Sequence, residues 1–65
     1  MAVNYQAEIR RIRDEVAPGA ERAAAYYLLA QRLAVEQAEA RGADAKFRLG
    51  TLKIDARARA RKEKV

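Results

Sequence analysis

Lys53, Arg57, Arg61 and Lys64 recur at steps of four, four and three. On a helix that spacing lines four cations along one stripe. The chemistry open to such a stripe is charge-assisted hydrogen bonding, to phosphate oxygens or to the carboxylates of an acidic protein surface. The charge of the chain is concentrated in the same region. Residues 1–45 carry six basic and seven acidic side chains, and residues 46–65 carry eight basic and two acidic, so the whole excess of +5 sits in the last third. No aromatic residue is interleaved with 53–65, so any contact to nucleic acid would be to phosphates rather than to stacked bases. The plainer reading of the same residues is that cations near a helix C-terminus complement its dipole and keep a small chain in solution.

The remaining reactive groups offer less. Glu36 and Glu39, with Glu21 and Arg32, form a polar strip that reads as a solvated face rather than a metal site. The chain has no Ser, Cys or His, and Thr51 is its only threonine. A hydroxyl or thiol nucleophile with an imidazole base is therefore unavailable, as are disulfides and soft metal sites. "PGAER" is not a phosphate loop. These absences predict a non-enzymatic protein with no catalytic residue, no cofactor, no metal and no small-molecule substrate.

Length and composition point toward association. Sixty-five residues make one small domain, 1–65, near the lower limit for folding alone. Thirty-three residues are hydrophobic, but 16 of them are alanine, which favours helix yet buries little area. Without a disulfide or metal staple, the expected supplement to so small a core is a protein partner or self-association. No apolar run approaches the roughly 20 residues of a membrane span. The N-terminal "MAVNYQAEIRR" lacks the apolar core of a signal peptide. The expectation is a soluble protein without a membrane role, in the cytoplasm or within a phage particle. Alanine plus arginine make 26 of 65 residues, a bias that fits a GC-rich bacterial or phage coding sequence.

Three elements must position these groups. Tyr5, Ile9, Ile12 and Val16 fall on one helical face, Asn4 suits the N-cap, and Pro18-Gly19 ends the segment, predicting a helix at about 4–17. Arg10–Asp14 and Arg11–Glu15 are spaced to pair on its outer side. "AERAAAYYLLAQRLAVEQAEAR" contains no breaker and ends at Gly42, predicting a second helix at about 19–41. Asp44 is the expected N-cap of a third element. There a strand pattern, with Arg57, Arg59 and Arg61 alternating with alanines, competes with a helical seam of Ala45, Leu49, Leu52, Ala56 and Ala60. Ala, Arg, Lys and Glu are helix formers, so the spacing predicts a third helix at about 44–62, with Gly50 a soft spot inside it. Its end, 53–65, is the basic C-terminal segment. The fold expected is all-α: three helices as a helical hairpin or open bundle completed by a partner.

The second helix is apolar around most of its circumference. Tyr26, Leu29, Leu33 and Ala40 share one face. Leu28 and Val35, a heptad apart, lie nearly opposite, with Ala24 and Ala38 beside them. Ala24, Leu28, Val35 and Ala38 are therefore the candidate partner interface. The alternative is a helix buried on both sides in a bundle, or scattered exposed apolar residues of the ordinary kind. "LAQRLAVEQAEAR", Leu29 to Arg41, also resembles a helix-turn-helix core. In that reading Ala30 sits where two helices cross, Leu33 and Val35 flank the turn, and Gln37 and Arg41 start the recognition helix. The turn position holds Ala34 where glycine is usual, Ala40 stands for a buried Val or Ile, and no Ser or Thr caps a second helix. A continuous helix is the reading the composition favours. The sequence thus predicts a non-enzymatic interaction or assembly protein that docks on a larger complex or on itself. The rival reading is a small nucleic-acid-binding regulator, acting through 29–41 or through Lys53, Arg57, Arg61 and Lys64.

Overall fold

The computed structural model describes residues 4–64, the side chain of Lys64 excepted. The described chain is three helices: α1 (Tyr5–Glu15), α2 (Ala20–Glu39) and α3 (Ala43–Lys64), with no strand among the described residues. The architecture is the expected all-α one.

Asn4 caps α1 as its type suggests: the Ala7 N–H donates to its Oδ1 at 3.1 Å. The helix ends at Glu15, and Val16 turns extended while its N–H still donates to the Ile12 carbonyl. Ala17 and Pro18 lead into Gly19, whose φ of 94° and ψ of −137° lie in a region that only glycine enters cheaply. Gly19 is the N-cap of α2, so Pro18 lies outside that helix. α2 then runs unbroken for 20 residues. It has no turn between Leu33 and Glu36, because every residue there tolerates helix and no glycine interrupts it. The helix-turn-helix resemblance of 29–41 is therefore not realised as a fold.

Two boundary expectations are corrected. α2 stops at Glu39, with extended Ala40 as its C-cap, and does not reach Gly42. Gly42, at φ 101°, instead opens α3: its carbonyl accepts from the Lys46 N–H, and Asp44 sits in the first turn rather than at the cap. There its carboxylate still complements the positive helix end. α3 runs through Gly50 to Lys64 as one helix, which settles the competition between strand and helix for the arginine-alternating segment.

The core forms mainly where α2 packs along α3, with α1 laid against α2. α1 contributes Tyr5, Ile9 and Ile12; α2 contributes Ala23, Tyr26, Leu29, Ala30 and Leu33; α3 contributes Ala56 and Ala60, with Leu49 and Leu52 partly buried beside them. These are the faces that the helical spacing selects. Much of the α2–α3 seam is methyl groups, which lets the two backbones approach closely. At Gly50 an added Cβ would stand 2.7 Å from Gln37 Nε2.

Candidate functional site

The residues with chemistry to offer fall on three parts of this fold. The first is the outer side of α2. Leu28 is 63 % and Val35 57 % exposed, and Ala24 and Ala38 are exposed beside them. All four predicted interface residues thus lie outside the core. Leu28 and Val35 line a shallow groove of about 460 Å3 between α1 and α2, with Ile12 and Leu29 also on its wall. Arg11 and Arg32 stand on the same groove, Arg11 held by Glu8 at 3.3 Å. The groove has no catalytic constellation, only apolar surface with charged edges.

The second part is α3. Its predicted cationic stripe divides. Arg57 and Arg61 are exposed and make no ion pair among the described residues, whereas Lys53 is half-buried and its Nζ donates to Gln37 Oε1 at 2.8 Å. Gln37 in turn donates from Nε2 to the Lys46 carbonyl at 3.2 Å, so Lys53 belongs to a bridge between α2 and α3. Lys64 ends α3, and its side chain is outside those described. The two carboxylates of the basic segment are both engaged. Asp55 accepts from Arg59 Nε at 3.1 Å, and Glu63 accepts from Arg22 Nη1 at 2.9 Å. Burial alone would lower the Arg59 pKa, but hydrogen bonding to Asp55 and Tyr26 outweighs it and raises the value. Arg22 also donates from Nε and Nη2 to the Val16 carbonyl at 3.2 and 3.0 Å, so one guanidinium ties the end of α1, the start of α2 and the end of α3.

Sequence reasoning assigned Phe47 and Ile54 no role. They are 78 % and 67 % exposed, and with Leu28 and Val35 they are the large apolar side chains left open among the described residues. The signal that could have found them is their seven-residue spacing, the same as that of Leu28 and Val35.

The third part is a cleft of about 900 Å3 between the start of α1 and the first half of α3, lined by Tyr5, Glu36, Phe47, Leu49 and Leu52. The Tyr5 hydroxyl is buried and has no hydrogen-bond partner of good geometry among the described residues. Burial, with the Glu36 carboxylate nearby, pushes its pKa up to about 12. A tyrosine so disposed stays protonated and is no general base near neutral pH.

No group of side chains among the described residues could hold a metal ion, and no helix of the described chain is long and apolar enough to cross a membrane. No protein-family model, no curated protein and no solved structure matches the chain.

Proposed function

We propose that this chain is a non-enzymatic helical assembly protein, docking on a protein surface through the outer side of α2 as a subunit of a larger bacterial or phage assembly. The observation that carries the reading is the exposure of Leu28 and Val35 on a helix whose opposite side is already fully packed. α1 and α3 cover Tyr26, Leu29 and Leu33, and they leave Leu28 and Val35 open. Two large apolar side chains at heptad spacing beside an apolar groove fit an apposed helix better than water. The small aliphatic residues Ala24 and Ala38 extend the same side and permit close approach.

The test is a photo-crosslinking residue placed at position 28 or 35 in cells that make the chain, with the exposed position 10 as control. Adducts at 28 and 35 and none at 10 support the reading; equal labelling at all three, or none, removes it.

A second reading rests on α3. Arg48, Arg57, Arg61 and Lys62 are exposed and without ion pairs among the described residues, which suits phosphate contact. Binding to duplex DNA over a salt series checks it. A steep dependence reduced by Arg57→Ala and Arg61→Ala supports it, and no binding at low salt excludes it.

A further inference from the structure

Two apolar pairs stay exposed on this chain, Leu28 with Val35 on α2 and Phe47 with Ile54 on α3. The members of each pair are seven residues apart, so each pair marks one side of its helix. α2 and α3 pack through their other sides, around Ala30, Leu33, Ala56 and Ala60, so the two pairs look away from one another. Their surroundings differ in sign. Beside Leu28 and Val35 stand the exposed carboxylates Glu21, Glu36 and Glu39; of the nearby cations Arg11 is held by Glu8 and Arg22 by Glu63, which leaves Arg32. Beside Phe47 and Ile54 stand exposed Lys46, Arg57 and Arg61; of the three carboxylates of α3, Asp55 and Glu63 are held by Arg59 and Arg22, and Asp44, in the first turn near Phe47, is outnumbered. One side of the molecule therefore matches the other in apolar spacing and opposes it in charge.

We propose that the outer side of α2 receives the outer side of α3 from a second copy of this chain; this rests on the reading of α2 as a docking surface. In the antiparallel register that sets Leu28 against Ile54 and Val35 against Phe47, Glu21, seven residues before Leu28, falls opposite Arg61, seven residues after Ile54. The two apolar matches and this charge match occur in one register because both rows share the seven-residue spacing. A two-fold dimer through α2 alone would bring the Glu21, Glu36 and Glu39 strips together, and one through α3 alone would oppose Arg57 and Arg61 with their own kind; like charges across a contact disfavour both. The contact joins two different sides, so every copy keeps one of each free. Copies then add head to tail, closing into a ring only if the rotation per copy allows it. A phosphate backbone offers nothing to cover Phe47 and Ile54, which is why a helix with acidic edges is the better fit.

The experiment uses two doubly substituted chains, Leu28→Gln with Val35→Gln, and Phe47→Gln with Ile54→Gln. All four positions are exposed, and circular dichroism verifies that each variant keeps its helices. Light scattering of the unsubstituted chain is expected to show a mass that rises with concentration and falls with added salt. Each variant alone should be a monomer where the unsubstituted chain assembles. Their equimolar mixture should give a dimer and nothing larger, since one intact side of each kind remains. The inference is overturned by a mixture that stays monomeric, by continued association of the Phe47/Ile54 variant alone, or by an unsubstituted chain that is monomeric at every concentration. If that monomer still crosslinks from position 28 to a different protein, only the second-copy inference falls. If it crosslinks to nothing, the docking reading falls with it.

Discussion

Arg22 and Glu63 are 41 positions apart in sequence, and their side chains meet at 2.9 Å, each only about one-fifth exposed. The same guanidinium closes on the Val16 carbonyl. Replacing Arg22 with Ala removes the partner of a largely buried carboxylate and of a turn carbonyl, which is expected to cost about 1–3 kcal/mol. Denaturant unfolding measures the loss. Hydrogen exchange should quicken in the last turns of α3 and near Val16, and unchanged protection there would show that the ion pair holds neither end.

Leu33 and Leu28 lie on one helix with opposite exposures, 0 % and 63 %. Leu33→Ala is expected to destabilise the chain by about 2–5 kcal/mol by opening a cavity. Leu28→Ala should stay within about 0.5 kcal/mol, as for other surface positions. Urea unfolding at a concentration too low for association distinguishes them, and a large cost at Leu28 would mean that its side is covered in the folded monomer.

Gly50→Ala sets two effects against each other. Alanine gains about 1 kcal/mol of helix propensity. The new methyl, 2.7 Å from Gln37 Nε2, must push that amide off the Lys46 carbonyl and Lys53. In a Gln37→Ala background the displaced contact is absent, so Gly50→Ala should be more favourable there by about 1 kcal/mol. Equal effects in both backgrounds would show that Gln37 yields freely.

Tyr5 supplies a pH signature. Its pKa rises from 10.0 to about 12 in the folded chain. The unfolded tyrosine loses its proton first, so the stabilisation is complete below about pH 10 and disappears as pH rises through about 12. Tyr5→Phe should flatten this alkaline decline in thermal unfolding. A steeper decline in the variant would assign the alkaline loss to other groups.

How much of this was legible in the sequence depends on distance along the chain. Tyr5, Ile9 and Ile12 announce their buried face because large apolar residues at helical spacing have only one side to share. α3 was legible by composition: alanine and arginine favour helix strongly enough to override an alternating pattern that looks like a strand. The ion pairs of α1 were not. Arg10–Asp14 and Arg11–Glu15 were the spaced candidates, yet the pairs formed are Arg11–Glu8 and Arg13–Asp14. Exposed side chains choose among partners of nearly equal energy, so spacing alone does not decide. Gly50 showed only a propensity cost, because its contact with Gln37 depends on the α2–α3 register, which no local pattern encodes. The candidate interface divides in the same way. Leu28 and Val35 stood out against a helix with a recognisable core face, whereas Phe47 and Ile54 were hidden among alanines and cations until the packing of α3 left them uncovered.

The methyl-paved seam between α2 and α3 has a mechanical consequence. Alanine side chains make low ridges, so Ala23, Ala30, Ala56 and Ala60 resist lengthwise sliding less than interlocked leucines would. Two polar fastenings sit at opposite ends of that smooth track: Gln37 seated in the notch at Gly50, and Arg22 hooked to Glu63. They act as register pins, and a chain lacking both would be free to slip by a helical turn with its hydrophobic content unchanged.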